Sequence, residues 1–458
     1  MNPTNSEAPP PWSDGLYSIK RYGVTITNCD AEPIRTPGCI QSHGALLSLR
    51  LRDLVILQAS ENSATWLGLP PDNLLGLSIA VVIGSEREAR LHEVIECEPI
   101  EHNPLYVFTL PALNGADALD VVFHIAGGVV ILEFEATKRS QNVIKPDYYV
   151  LLKKNVARLQ SAETLLEFCQ QVTEGVRALT GLDRVMVYRF HADDHGEVVA
   201  ESRREDLPPW LGLHYPPEDV PKPARDIFMK IWLRPLPDAH AAPVELVPLA
   251  NPDTGQPLDM TYCALRGASI MYTEYLRNMG VSASLTMPIQ KDGRLWGLIA
   301  CHHYTVSYFP YQMRAACEFL AQVVSLQVKP VEEREQLGYR LKLEAVHGQL
   351  LKAAAQDGEL AFLTESQPNL LDGIAAGGVA LYHHDRWWCI GLTPTHAQLY
   401  ALAEWLKQQP ELNSPTREVY ATDNLAGVYP AGAELTKIAS GLLAVSLSSI
   451  RDKVTRNK

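Results

Sequence analysis

No stretch of this chain stays apolar for the roughly 18 residues that a membrane helix needs. Its opening, Met1 to Trp12, is polar and proline-rich and lacks the charged-then-apolar plan of a signal peptide. Cysteine is scarce, with eight in 458 residues and no C-x-x-C pair. That excludes a disulfide framework or a zinc site of paired cysteines, and it reads as cytosolic thiols. Positive charge is also short. Forty Lys and Arg stand against 53 Asp and Glu, a formal net charge of −13. Such a balance argues against nucleic acid or an anionic membrane as partner. What is present is ordinary globular composition, 46% hydrophobic and 20% charged. At roughly 150 residues per domain, the length points to about three domains.

Residues 1–22, with Pro9-Pro10-Pro11, read as a flexible arm. A first unit over 23–140 follows. Ala45–Leu49 and Leu54–Leu57 read as short strands, and Val121–Ile125 and Val129–Glu135 flank Gly127-Gly128 as a hairpin. A second unit, 141–329, opens with helical spacing from Leu159 to Thr180, stopped at Gly181. Its strands are Arg184–Phe190, Gly196–Glu201, Ala283–Ile289 and Leu295–His302, and a helix spans Tyr311–Val328. Val331–Ala355 reads as an amphipathic connecting helix that Pro330 breaks or bends on entry. A third piece, 330–448, contains strand Gly378–Tyr382, helix Thr395–Gln408 and strand Gly441–Ser446, before a polar tail at 449–458. The order of elements is that of an α+β protein.

The middle unit collects polar groups in apolar surroundings. Pro221 holds Val220 extended in Asp219-Val220-Pro221. Arg225, Arg234 and Arg266 lie around it in sequence, and Ser284 and Thr286 share one face of a strand. Guanidinium forks, hydroxyls and an imidazole would suit a planar anionic ligand. Tyr188, Tyr215, Phe228, Tyr272 and Tyr275 could wall a conjugated ring system. The plainer readings are a structural strand-end His302, solvated loop arginines and a buried, hydrophobic Cys29. Neighbours on a strand face opposite ways, which argues against Cys301–His302 as a nucleophilic pair and His302–His303 as metal ligands.

At Thr27-Asn28-Cys29-Asp30-Ala31-Glu32-Pro33-Ile34, then Pro37-Gly38-Cys39-Ile40-Gln41-Ser42-His43-Gly44, the chain resembles bacterial phytochromes. The likeness recurs in order at Asp183–Phe190, Leu213–Pro221, Glu274–Ser284 and Leu295–His303. It implies three tandem PAS, GAF and PHY domains, antiparallel sheets flanked by helices and joined by a long connecting helix. A figure-of-eight knot would thread the segment around Ile40 through a GAF loop. The resemblance makes the protein a red/far-red photoreceptor that binds biliverdin, a linear tetrapyrrole, and signals by isomerisation of its D ring. Cys29 matches the cysteine forming a thioether with a bilin vinyl group. Asp219, with Val220 and Pro221, matches the loop whose carbonyl accepts pyrrole N–H bonds. Arg234, Arg266, Ser269, Ser284 and Thr286 match propionate binders. Tyr188, Tyr215, Phe228 and Tyr275 match pocket walls, and His302 the donor to the D-ring carbonyl. No metal and no enzymatic activity are implied.

Departures from the family pattern bear on function. Tyr272 stands where the family usually has a His beside the pyrrole nitrogens, so the proton cycle of the bilin is altered. Phe228 replaces a common Tyr, Ile270 a common Pro, and Met271 occupies the place of the plant-type bilin cysteine. Cys39 is the alternative thiol. After Ala444-Val445-Ser446-Leu447-Ser448 the family continues into a hairpin, the tongue, whose Trp and Arg-Pro-Glu elements are not found in 449–458. The resemblance also implies a cytoplasmic homodimer, parallel or antiparallel, through GAF and PHY helices, with an output or response-regulator partner. The alternatives are a bilin-binding protein with impaired photoswitching (fluorescent, decoy or carrier) and a chromophore-free dimerisation module.

Overall fold

The computed structural model describes residues 15–22, 24–25, 28–97, 104–111, 117–137, 147–357, 360–412 and 419–446. The expected tail, and residues 1–14 of the expected arm, lie outside them. Tyr17, Ser18 and Ile19, placed in the arm by sequence, are buried. The chain divides into two compact units, Met1–Arg334 and Glu335–Lys458.

In chain order the strands of the first unit are β1 (Cys39–Ile40), β2 (Gly44–Arg50), β3 (Ile56–Ser60), β4 (Leu105–Leu110), β5 (Leu119–Ala126) and β6 (Val129–Ala136). Then come β7 (Arg184–Phe190), β8 (Gly196–Arg203), β9 (His214–Tyr215), β10 (Arg234–Leu236), β11 (Val244–Val247), β12 (Ala283–Lys291) and β13 (Arg294–His303). They form a seven-stranded sheet, β1-β11-β3-β2-β6-β5-β4, and a six-stranded sheet, β10-β12-β13-β7-β8-β9. Every pairing is antiparallel. The β5–β6 turn is the expected Gly127-Gly128, both at positive φ (58° and 79°), which glycine adopts without steric cost.

The first sheet recruits β11 from far along the chain, and this interlocks the two sheets. Segment 35–41 runs between two limbs of one later loop, residues 244–267. On one side Leu246 N–H donates to Gly38 O at 2.9 Å; on the other, Gly267 N–H donates to Cys39 O at 2.9 Å and Gln41 N–H to Leu265 O at 2.8 Å. The earlier segment is therefore held on both sides by one later loop, the arrangement that the expected knot would use. Gly267 permits the approach, since a Cβ there would lie 2.8 Å from Cys39 O.

The six-stranded sheet buries one face against helices Leu165–Thr180 and Tyr311–Asp357, where Val185, Val187, Leu285, Met287, Ile299 and Cys301 join one core. The first of these helices is shorter than expected. Thr164 caps it, its hydroxyl accepting from Glu167 N–H, and Leu159 belongs to a preceding helix, Tyr148–Ser161. The expected interruption at Pro330 does not occur. Tyr311–Asp357 is one helix of 47 residues with Pro330 inside it. Proline removes one N–H bond to the carbonyl four residues back. That residue, Leu326, is 77% exposed, so water can reach its carbonyl, while fully buried Val324 and Val328 and nearly buried Val331 anchor both sides.

The second unit is built from β14 (Gly378–His383) with β15 (Arg386–Gly391), β16 (Val419–Thr422) with β17 (Leu442–Val445), and helix His396–Leu406, capped by a Thr395–Gln398 box.

Candidate functional site

Alternation along the six-stranded sheet creates the site. Residues facing the core occupy odd positions on β7, β12 and β13, so the even ones face the other way. Met186, Tyr188, Thr286, Leu298, Ala300 and His302 thereby floor a cavity of about 370 Å³, within the usual range for small-molecule pockets. Register then sets the neighbours. Arg234 on β10 lies opposite Thr286 on β12, which lies opposite Ala300 on β13. One step along, Leu236, Ser284 and His302 form the next row. Tyr188 reaches across to β8, where its ring covers Gly196; a Cβ at that position would lie 1.8 Å from the ring.

The opposite wall comes from loops. Asp219 ends a 3-10 turn, Pro217–Asp219, and Val220 and Pro221 lead into helix Lys222–Phe228. Arg225 pins this loop, donating to Val220 O (2.7 Å) and Pro217 O (2.9 Å). Its fork is spent on these carbonyls, on Asp194 O and on the Asp194 carboxylate, both at 2.9 Å, so Arg225 is a clamp rather than a ligand contact. Tyr275 donates to Asp219 Oδ2 at 3.0 Å, and burial near that carboxylate pushes its phenol well up. Tyr188 is raised to about 12 by burial first and then by Asp219. The N-terminal segment closes the cavity with Cys29, Glu32 and Ile34.

Most of the residues singled out by sequence line this one cavity: Cys29, Tyr188, Tyr215, Asp219, Val220 and Pro221, then Phe228, Arg234, Ser269, Tyr272, Tyr275, Thr286 and His302. Two do not. Arg266 is buried with its guanidinium turned to the carbonyls of Thr261 (2.6 Å) and Met260 (3.4 Å). Those carbonyls belong to the interlocking loop, and the cationic Arg234 nearby also disfavours a second charge on the cavity side. Ser284 is buried behind Tyr272, whose hydroxyl it meets at 3.0 Å. Cys39 is fully buried in β1 beside the Ser18 hydroxyl and off the cavity. Cys301 faces the core and not the cavity, with its thiol pushed well up by burial. It shares no face with His302.

Sequence reasoning passed over Glu32 and Trp210. Glu32 lies inside the first motif and lines the cavity. Trp210 comes from an irregular loop and carries no periodic signal. It meets His302 edge-on at 5.6 Å and receives the Arg184 guanidinium over its ring at 3.9 Å.

The electrostatics are those of a site built for an anion and a hydrogen-bond acceptor. Arg234 is half-buried and its charge is disfavoured by that burial, with Tyr272 and Glu32 as partial compensation. His302 is lowered to about 4 by burial, then by the nearby Arg184 charge, so it is neutral near pH 7. Its Nδ1 is buried without a protein partner. Orphaned buried polar atoms are uncommon and costly, and this one sits on the cavity wall.

Known proteins now bear on the reading. Family models match the chain as a PAS fold over residues 29–137, a GAF domain over 164–329 and a phytochrome region over 343–454. The structure of the chromophore-binding domain of the bacteriophytochrome RpBphP3 from R. palustris is 36% identical, with a TM-score of 0.62; the match covers 67% of this chain and 99% of that one. This chain belongs to the phytochrome family. A longer RpBphP3 structure matches at 33% identity and TM-score 0.70, over 92% of this chain and 85% of that one. Cyanobacterial phytochrome B of Nostoc sp. is 38% identical over 93% of the chain, and the bacteriophytochrome of Pseudomonas aeruginosa 36% identical over 77%. The chain spans 56% of the first and 47% of the second, about half the length of these relatives. Among the described residues, no helix is long and apolar enough to cross a membrane.

Proposed function

We propose that this chain is the light-sensing part of a phytochrome, holding biliverdin through a thioether on Cys29. The observation supporting the reading is the convergence of Cys29, Arg234 and His302 on one cavity. These are a nucleophile for a vinyl group, a cation for a propionate and a hydrogen-bond donor for a ring carbonyl. Bound there, a bilin supplies red absorption and a double bond that light can isomerise. The protein's part is to hold and shield. Arg234 binds a propionate with Thr286 beside it on the next strand, and Ser269 adds a donor. Tyr188, Tyr215, Phe228 and Tyr275 confine the conjugated system, and the neutral His302 donates to the carbonyl of the terminal ring. Asp219 presents its backbone carbonyl to the pyrrole N–H groups while Tyr275 holds its carboxylate.

The domains of this reading are a PAS domain over 23–140, a GAF domain over 141–329 and a PHY domain over 330–448. In it the chain senses rather than catalyses, works as a homodimer through its GAF and PHY helices, and resides in the cytoplasm. Tyr272 favours one refinement. Its hydroxyl is engaged with Ser284, where an imidazole would exchange protons near neutrality, so the proton cycle and photoproduct yield differ from those of the His-bearing family pattern. The test is the absorption spectrum after expression with biliverdin. A red band that changes under red light is the expected result. An unchanging red band would favour a bilin carrier or fluorescent form, and no band a chromophore-free module.

A further inference from the structure

Cys29 and Glu32 are three residues apart and line the same cavity. The 3-10 turn Cys29–Ala31 brings them together, with Glu32 N–H donating to Cys29 O at 3.1 Å. Glu32 is 7% exposed, an unusual place for a carboxylate. Tyr17 donates to its Oε1 at 2.9 Å, which fixes the orientation of the group. The Cys29 thiol is pushed up by burial first and then by Asp30, with a smaller push from Glu32, which the backbone N–H groups of Cys29 and Asp30 only partly offset. Its turn is too short to lend a helix dipole. Activated thiols usually sit in electropositive surroundings. Here the surroundings call for a base.

We infer that Glu32 is the proton acceptor for the Cys29 thiol when the bilin thioether forms. This rests on the proposal that Cys29 is the attachment site. The step balances without any oxidant or further reactant. The S–H bond breaks as the proton passes to the Glu32 carboxylate, and a bond forms between Sγ and one vinyl carbon. The proton then goes from Glu32 to the neighbouring vinyl carbon, and nothing leaves. Glu32 finishes as it began, again bonded to Tyr17. Burial raises the affinity of Glu32 for a proton, while Ser269, Tyr17 and the Arg234 charge hold that rise in check. A carboxylate so placed is a stronger base than a solvated one.

Two rates of Cys29 modification test this, each followed by mass spectrometry of the Cys29 peptide in the full chain. The first is thioether formation with biliverdin, and the second is alkylation by N-ethylmaleimide, a small conjugated alkene. Glu32→Gln keeps the shape of the side chain and should slow both by about 100-fold, the lower end of what a positioned base contributes. It should also remove the limb of the pH–rate profile that belongs to the carboxylate. Tyr17→Phe releases the fixed orientation of Glu32 and should move the carboxylate limb of the pH–rate profile upward, because Tyr17 holds the proton affinity of Glu32 down. A merely electrostatic role predicts the reverse: removing the negative charge of Glu32 would ease thiolate formation and speed alkylation. Faster or unchanged rates in Glu32→Gln would overturn the inference. If Glu32→Gln does not fold, an unchanged pH–rate profile in Tyr17→Phe would overturn it instead. Attachment of biliverdin elsewhere than Cys29 would defeat the site proposal, while the maleimide rates would still decide the role of Glu32.

Discussion

Two regions of the first unit treat buried polar groups in opposite ways. Around loop 244–267 several are satisfied by protein, although Glu133 Oε1 and Arg266 Nε are not. Gln41 donates its amide to three carbonyls, of Pro235, Ala264 and Arg266, each at 3.1 Å. Arg21 forks onto the buried Glu245 at 2.7 and 2.8 Å, and in the seam between β6 and helix Tyr311–Asp357, outside the interlock itself, Arg314 forks onto Glu135 at 2.5 and 2.7 Å. In the cavity, a few strands away, Arg234 rests on partial compensation and His302 Nδ1 on none. A closed network stiffens a fold, whereas an open one costs stability unless a ligand completes it.

The largest effect expected is all-or-none and falls on the cavity. Cys29→Ala should abolish bilin retained on a denaturing gel and leave the melting temperature of the apoprotein unchanged. Cys39→Ala should retain the adduct and cost stability, because Cys39 is fully buried against Tyr17 and Ile19. The reverse pattern would reassign the two thiols.

In the seam beside the interlock the next effect is on stability. Arg314→Ala strands the Glu135 carboxylate in a seam where both side chains are mostly buried. Breaking a buried pair in this way costs about 3–5 kcal/mol, measurable as a drop in denaturation midpoint with or without bilin. In the cavity the sign differs. Arg234→Gln removes a half-buried charge that the apoprotein holds at a cost, so apoprotein stability should hold or rise while bilin affinity falls. The loss of one charge-assisted contact is worth about 1.5–3 kcal/mol, or 10- to 100-fold in the titrated dissociation constant. A large loss of apoprotein stability would show that Arg234 is structural.

The contrast also explains what could be read from sequence. The six-stranded sheet was legible because Val185-Met186-Val187-Tyr188 and Ile299-Ala300-Cys301-His302 alternate between two chemistries, one face core and one face cavity. The β5–β6 hairpin was legible from Gly127-Gly128. The short strands β1, β9, β10 and β11 were not, since two to four residues carry no period and their pairing depends on partners distant in sequence. Burial of Val328 and Val331 overrode the local signal of Pro330. Among the site residues, Arg266 stands off the cavity lining for a similar reason. Its type suits an anion, but the carbonyls of Met260 and Thr261, presented by the interlocking loop, take one of its nitrogens. Glu32 was passed over because its importance lies in its burial, which residue type does not reveal.

The smallest effect is one that the whole protein conceals. His302 in the cavity is lowered to about 4 from an ordinary 6.5. The unfolded chain therefore binds its proton more readily, so the stability it allows is present above pH 6.5 and is lost as pH falls toward 4. Glu133, in the seam, is raised to about 7 from 4.5, first by burial and then by Glu135. It is fully buried on β6 and accepts from Leu265 N–H of the interlocking loop at 2.6 Å. Here the folded state binds the proton more readily, so stability is full below pH 4.5 and lost as pH rises through 7. Between pH 7 and pH 5 each linkage amounts to about 2 kcal/mol, with opposite sign. In the unmodified apoprotein these two contributions should nearly cancel. His302→Gln removes one, and stability should then rise by about 2 kcal/mol on going from pH 7 to pH 5, relative to the parent. Glu133→Gln removes the other, and stability should fall by a similar amount over the same interval. Bilin should abolish the His302 effect by engaging the imidazole and leave the Glu133 effect intact, because only one of the two regions is completed by a ligand. Denaturant titrations of the three apoproteins at the two pH values, repeated with biliverdin, measure every term, and slopes of the same sign in the two variants would refute the division of the molecule drawn here.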